Sequence, residues 1–212
     1  MENQNKVILD LADGTGAWSK DYEEAGYIVV NVTLPFYDVL KTEIRDEVII
    51  FQGGNKGSFA VWINDVYGIL AAPICTMFSI ARTTAKTPRD FREGMKLVIA
   101  CLNIIWECRY DHKLAFWCLE NPKGYLRQFL GKPVFTFDPC DFGDPYTKRT
   151  DLWGYFNIPK GVRVEPEYVY FKSGKRMSKM MYESSLRSKR KSKILKSITP
   201  PGFAKAFFEA NK

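Results

Sequence analysis

The sequence predicts an α/β fold built on a doubly wound sheet, and three observations carry that prediction. Residues 7–11 (VILDL), 67–72 (YGILAA) and 113–119 (KLAFWCL) are short runs with little polar alternation, as expected of strands covered on both faces. A glycine-containing turn and a stretch with helical spacing separate the first run from a second strand at 27–32, which is the strand–helix–strand rhythm of a parallel sheet. A long amphipathic helix then separates the second and third buried runs.

Taken in order, the first strand runs into the turn Asp10-Leu11-Ala12-Asp13-Gly14-Thr15-Gly16. Residues 18–25 follow as a helix that Gly26 stops. Between 35 and 57 the one strand signal is at 48–51. After the strand at 67–72, Thr87-Pro88 supplies an N-cap and a first-turn proline, and Asp90 an acid in the first turn. Phe91, Met95, Val98, Leu102 and Ile105 then recur at steps of four and three, an apolar stripe turned to the sheet. The strand at 113–119 ends at Glu120-Asn121-Pro122, residues 134–138 and 152–156 form a shorter pairing unit, and 200–211 is a helix. There are no internal repeats. The predicted organisation is a core at 1–157, a small basic segment at 158–196 and a C-terminal helix at 197–212 that returns to the core. In such folds ligands bind at the carboxyl ends of the strands.

Composition narrows the function. The 212 residues are 46% hydrophobic and 15% aromatic, enough for one packed core and too apolar for a disordered chain. No apolar run nears the roughly 20 residues that cross a bilayer. The start, MENQNKVILD, lacks a basic segment followed by an apolar one, so it does not read as a signal peptide. A cytoplasmic protein, bacterial or in a phage-infected host, is the expectation. The five cysteines form no CxxC pair and His112 is the single histidine, so neither a metal site nor a Cys–His nucleophile pair is expected. Cys101, Cys108 and Cys118 lie in apolar runs and read as core residues.

The net charge of +7 is concentrated. Residues 172–196 hold ten Lys or Arg and one acid, Glu183, while the remainder of the chain is close to neutral. A solvated loop is the ordinary explanation of such a run. Met177, Met180, Met181, Tyr182, Leu186, Ile194 and Leu195 are interleaved with the charges, however, and ordered sequence resumes afterwards, which favours a basic insertion that meets nucleic-acid phosphates.

Three motifs sit at predicted strand ends. Gly14 and Gly16 allow a tight turn and a close backbone approach to a ligand. A dinucleotide fingerprint needs a third glycine where Ser19 stands, which disfavours NAD and leaves an adenosyl cofactor open. Pro73-Ile74-Cys75-Thr76-Met77-Phe78-Ser79 follows a buried strand; taken alone, such a cysteine is more often packing than a nucleophile. Glu120 is costly to bury unless paired or used, so it is either an acid–base group or the N-cap acid of a helix at 123–130.

The order of these motifs resembles the DNA cytosine-5 methyltransferases, in particular the compact phage and prophage type, over most of the chain. LDLADGTGAW is similar to the S-adenosylmethionine motif DLFAGxGG, AAPICTMFS to the nucleophile loop, LENP to the Glu-Asn motif, and Tyr146-Thr147-Lys148-Arg149-Thr150 to the basic motif near the target base. SITPPGFAKAF resembles the motif that supports the recognition region, and Tyr37-Asp38-Val39 the pair that holds the cofactor adenine. The resemblance implies a Rossmann-like S-adenosylmethionine-dependent methyltransferase fold with a short basic insertion. It implies that Cys75, Glu120, Asn121, Lys148 and Arg149 are the catalytic set. Asp10, Ala12, Asp13, Gly14, Thr15, Gly16, Thr33, Asp38, Val39 and Pro73 would hold the cofactor. Ser79, Arg82, Lys175, Arg176, Lys189, Arg190 and Lys191 would meet DNA. The chain departs from the pattern at Ile74, where the family has proline, at Ala12 and Ala17, and at Thr33-Leu34, where an acid usually binds ribose. Two alternatives stay open: a methyltransferase-fold nucleic-acid-binding protein with weakened turnover, and an RNA cytosine-5 methyltransferase.

The implied chemistry explains the grouping. Cytosine C5 is too weak a nucleophile for a sulfonium methyl, but a thiolate added at C6 makes C5 an enamine carbon. A carboxylic acid at N3 supports that addition. The base must leave the duplex to be reached, which costs a few kcal/mol.

Overall fold

The computed structural model describes residues 3–53, 57–82, 85–110 and 114–212, with the backbone alone at Lys189, Arg190 and Lys193. In chain order the elements are β1 (Val7–Leu11), α1 (Lys20–Glu24), β2 (Ile28–Val32), β3 (Glu43–Arg45), β4 (Val48–Gln52), β5 (Ser58–Trp62), β6 (Val66–Ala71) and α2 (Phe91–Tyr110). These are followed by β7 (Phe116–Pro122), α3 (Arg127–Leu130), β8 (Phe135–Phe137), β9 (Thr150–Tyr155), β10 (Tyr168–Tyr170), β11 (Arg176–Ser178), α4 (Lys179–Ser185), α5 (Lys189–Ser197) and α6 (Pro201–Asn211).

Six strands form the central sheet in the order β2-β1-β6-β7-β9-β8. β2, β1, β6 and β7 are parallel, and β9 runs antiparallel to both of its neighbours. The fold is therefore mixed α/β with a mostly parallel central sheet, an arrangement compatible with a Rossmann-like fold. β3, β4 and β5 form a separate antiparallel sheet, and β10 and β11 a hairpin.

Side-chain alternation along the strands supplies the two faces. Leu9, Leu11, Ile69, Ala71 and Leu119 pack with Val98, Cys101, Ile104, Ile105 and Cys108 of α2, and with Ile49, Phe51 and Val61 of the small sheet. Ile8, Leu70 and Cys118 turn to the other face, where Trp18 and Tyr22 meet Phe203, Ala204 and Phe207 of α6. Trp18 lies edge-on to Phe207 at 5.4 Å, and Phe137 stacks on Phe203 at 4.0 Å. Each fully buried side chain of this size contributes about 1.5–3 kcal/mol, which fixes a C-terminal helix 11 residues long to the sheet. Gly68 in β6 is required by its neighbour: a Cβ there would stand 2.3 Å from the Phe116 ring.

Several predicted boundaries shift for identifiable reasons. Helix α2 starts at Phe91, and its cap is Asp90 rather than Thr87, because the Asp90 carboxylate accepts the Glu93 N–H at 2.9 Å. The Thr87 hydroxyl instead accepts a hydrogen bond from Arg82 at 2.8 Å. β7 continues through Glu120, Asn121 and Pro122, because β9 pairs with these residues as far as Thr150. Glu120 is thus a strand residue and caps no helix; the short helix α3 begins at Arg127. Predicted strand residue Lys113 and the single histidine, His112, lie outside the described residues.

The basic segment carries more structure than its composition suggests. β10, β11, α4 and α5 lie within it, and the Ser184 and Ser192 hydroxyls stand 3.0 Å apart where the two helices meet. The start of the segment is tied back to the core by the Val164 N–H to Cys140 O bond at 2.8 Å and the Glu167 N–H to Pro145 O bond at 2.8 Å.

Candidate active site

From β1 the chain turns to β2 on one side and later to β6 on the other, so the strand order reverses between β1 and β6. A crevice at the carboxyl ends of the strands is the expected ligand position at such a point. The loop at 12–16 leaves β1 there and the loop at 72–79 leaves β6. Both are anchored to the sheet: the Ala12 N–H donates to Val32 O and the Ala72 N–H to Leu11 O, each at 2.9 Å. Ala12, Gly14 and Gly16 all have positive φ, at 61°, 79° and 68°. For alanine this conformation costs about 1–2 kcal/mol, and strain of this kind concentrates at ligand-binding turns.

The acids of this turn are largely buried. Ser19 donates to the Asp10 Oδ2 at 2.5 Å, while Oδ1 is buried with no hydrogen-bond partner. Burial, with the Asp13 charge adding to it, pushes the Asp10 carboxyl well above its ordinary value, against the Ser19 bond. Asp13 Oδ2 accepts from the Ala17 N–H at 3.1 Å and from the Thr15 hydroxyl at 3.3 Å. Its Oδ1 accepts from the Thr199 hydroxyl at 3.2 Å. Thr199 leads into α6, so the C-terminal motif closes onto the glycine turn across 186 residues of sequence.

Cys75 stands half-buried in the loop after β6, whereas Cys101, Cys108, Cys118 and Cys140 are buried. Its carbonyl accepts the N–H groups of Phe78 and Ser79 at 2.9 Å, which curls the loop into a turn. Three contacts bind that turn to the end of β7. The Asn121 side-chain amide donates to Pro73 O at 2.9 Å, Ser79 forms a β-bridge with Gly124, and the Tyr125 N–H donates to Phe78 O at 2.9 Å. Arg89 adds a fourth, donating to Met77 O at 2.9 Å while its guanidinium lies 4.9 Å above the Tyr125 ring. Pro73 is buried and holds this anchor, and Ile74 is 55% exposed.

Glu120 is half-buried at the same strand edge. Burial raises its pKa, partly offset by the Lys148 charge and reinforced by Asp13 and Asp151. Lys148 reaches this place because β9 runs antiparallel to β7: the residues that precede β9 lie where β7 ends. Lys123 N–H donates to Arg149 O at 2.9 Å and closes the corner. Cys75, Glu120, Asn121 and Lys148 are thus gathered at the carboxyl edge of the central sheet. Arg149 is exposed, and its guanidinium donates to Asp138 at 3.3 Å. Behind the site, buried Asp151 accepts both Arg127 Nε and Nη2, at 2.6 and 2.5 Å, and the Thr136 hydroxyl at 2.8 Å.

The other sequence-predicted residues are spread more widely. Thr33 is half-buried just beyond β2, and its carbonyl accepts the Phe36 and Tyr37 N–H groups at 3.0 Å. Asp38 caps a short 3-10 turn, accepting the Leu40 N–H at 3.1 Å, and Val39 is buried in the core. Arg82 is half-buried beside the loop at 72–79, where its carbonyl also faces Arg89. Lys175 and Arg176 lie exposed at the β10–β11 hairpin, with the Arg176 guanidinium 4.3 Å above Tyr168. Lys191 is exposed on α5; the side chains of Lys189 and Arg190 lie outside the described ones. Sequence reasoning did not single out Thr199, Arg89, Gly124 or Asn31. Asn31 is exposed near the end of β2, and a Cβ built on Gly16 would stand 3.2 Å from its side-chain oxygen. No signal in the linear sequence joins these positions, because each acquires its partner from another element.

No family model and no curated protein matches the chain. Among the described residues no cluster of His, Cys, Asp or Glu could hold a metal ion, and no helix is long and apolar enough to cross a membrane.

Proposed function

We propose that this chain is an S-adenosylmethionine-dependent DNA cytosine-5 methyltransferase that acts through a covalent Cys75 adduct on an extruded base. One observation supports the reading: the loop that carries Cys75 is bonded through Pro73 to Asn121, beside Glu120, and Glu120 feels the Lys148 charge, so three separate segments converge on one sheet edge near a positive-φ glycine turn. The residues of that turn fit the cofactor. Gly14 has open space where a side chain would stand, and at Gly16 a Cβ would crowd the Asn31 side chain at 3.2 Å. The Asn31 amide, at the end of β2, is a suitable partner for ribose hydroxyls in place of the acid that the family carries.

When bound, S-adenosylmethionine supplies an electrophilic methyl group on a sulfonium. The Cys75 thiolate adds to C6 of the flipped cytosine and makes C5 nucleophilic. Glu120, whose burial favours the protonated form, donates at N3 as that addition proceeds. Lys148 offsets part of that burial effect and stabilises the carboxylate left after donation. Asn121 holds Pro73, two residues before the nucleophile, and so sets the approach of the thiol.

A duplex containing cytosine fluorinated at C5 tests the proposal, because the proton that must leave is replaced. Full-length protein with S-adenosylmethionine should give a denaturation-resistant adduct, and Cys75→Ser should give none. An equal yield from Cys75→Ser would overturn the assignment of the nucleophile. Adduct formation only on the corresponding RNA strand would move the chemistry to RNA.

A further inference from the structure

Glu183 is the one acid among ten basic residues at 172–196, a segment whose charge otherwise suits phosphate. A carboxylate on a phosphate-binding surface repels the ligand it faces, so its presence calls for a separate reason. Helical spacing offers one, an ion pair with Lys179 four residues earlier. The structure gives Lys179 a nearer partner: its ammonium donates to Glu167 at 2.7 Å, and Glu183 acts on it only as a neighbouring charge. Among the described residues, the Glu183 side chain makes no hydrogen bond or ion pair; it is exposed on α4.

Glu183 instead lines an open cavity of about 320 Å³ together with Pro145, Tyr146, Glu167, Lys179 and Met180. That volume is at the lower end of the range for small-molecule sites, roughly 300–1,000 Å³. The cavity spans two parts of the chain. Tyr146 lies two residues before Lys148, which belongs to the catalytic edge, and Met180 and Glu183 belong to the basic segment. Its apolar wall, Pro145, Tyr146 and Met180, is a deformable surface that can rest against the edge of a base. Its carboxylates provide acceptors and the Lys179–Glu167 pair holds one rim in place.

We infer that this cavity reads a base next to the target, and that Glu183 selects cytosine there by accepting a hydrogen bond from its exocyclic amine. Carboxylate acceptance from cytosine N4 is the base contact suited to glutamate. The inference rests on the proposed methyltransferase function in taking DNA as the partner and a cytosine as the target base. Glu183 is a specificity-determining residue, since it lies in the recognition segment and not at the reacting atoms.

The test is a binding selection with full-length protein, using duplexes that carry one fixed cytosine and randomised flanks, followed by sequencing of the bound fraction. Wild-type protein should enrich cytosine at one flanking position by about 10-fold or more, the selectivity of one good base contact. Glu183→Ala should lose that preference, with the other positions unchanged. Glu183→Gln should move it toward adenine, because glutamine pairs with adenine N6 and N7. No flanking preference in the wild-type protein, or a preference that both variants retain, would overturn the inference. So would a uniform gain in affinity for all sequences in both variants, which would mark Glu183 as a general charge. Covalent trapping on the C5-fluorinated duplex, run in parallel, reports Cys75 chemistry separately. Trapping without base preference sinks this inference alone; base preference without trapping sinks the methyltransferase reading alone.

Discussion

Replacing Gly124 by alanine moves the nucleophile loop without touching a catalytic group. A Cβ on Gly124 would stand 2.2 Å from Phe78 O, against the 3.4 Å at which ordinary contact begins. The obstacle is backbone, so the two loops must separate by about 1 Å, which weakens the Ser79–Gly124 bridge and the Tyr125 N–H to Phe78 O bond. Phe78 is itself bonded to the Cys75 carbonyl, so the shift is transmitted to the thiol. A misplacement of this size costs about 100-fold in rate, which corresponds to about 2.7 kcal/mol in the barrier. The assay is single-turnover trapping on the C5-fluorinated duplex, with duplex affinity measured separately by fluorescence anisotropy. Trapping should slow by about two orders of magnitude while affinity changes by less than about threefold. The matched control is Gly26→Ala, at φ 86° with open space around it. It should lower stability by about 1–2 kcal/mol through backbone strain and leave trapping unchanged. A Gly124→Ala protein that traps within about threefold of wild type would refute the coupling between these loops and the nucleophile.

Two further outcomes follow from the electrostatics. Burial raises Glu120 above the ordinary glutamate range, so between its unfolded and folded pKa values the native chain binds more protons there than the unfolded chain. Its contribution to stability is therefore highest at acid pH and declines as pH rises from the ordinary glutamate value to the raised one; Glu120→Gln should make that decline shallower in denaturant melts, and an unchanged slope would contradict the burial argument. Replacing Lys189, Arg190 and Lys191 by alanine should weaken all duplexes alike and flatten the salt dependence of binding by up to about three logarithmic units, near 0.9 per phosphate. An unchanged salt slope in a titration would remove α5 from the nucleic-acid surface.

The strands of the parallel core were legible in the sequence because each is locally self-consistent. Val7–Leu11 has the predicted bounds, and the strands found at Ile28–Val32 and Val66–Ala71 differ from prediction by one residue at their ends. The pairing unit expected of 134–138 and 152–156 is found in part: the two strands pair antiparallel with Phe135 opposite Leu152, but the register runs back to Thr150, and residues 152–155 pair with β7. The outer sheet was mostly hidden. β3 is only three residues long and β5 is largely exposed, so neither has the continuous apolar run that marks a buried strand. The folded elements of the basic segment were hidden for a related reason: their charge pattern is equally that of a solvated loop.

By itself the sequence determined which residues carry chemistry-bearing groups and that their host is an α/β sheet. Residue type and local periodicity are properties of neighbouring positions, and they suffice to single out Cys75, Glu120 and the glycine turn as candidates. Only the tertiary structure decided which of these groups meet. The antiparallel direction of β9 brings Lys148 to Glu120 but leaves Arg149 on Asp138. Packing of Phe203 and Phe207 against the sheet places Thr199 on Asp13. Burial of Val39 in the core commits to packing a residue that the motif alone would have given to a ligand. Each outcome depends on strand direction, register or burial, and these are fixed by contacts between residues far apart in the chain.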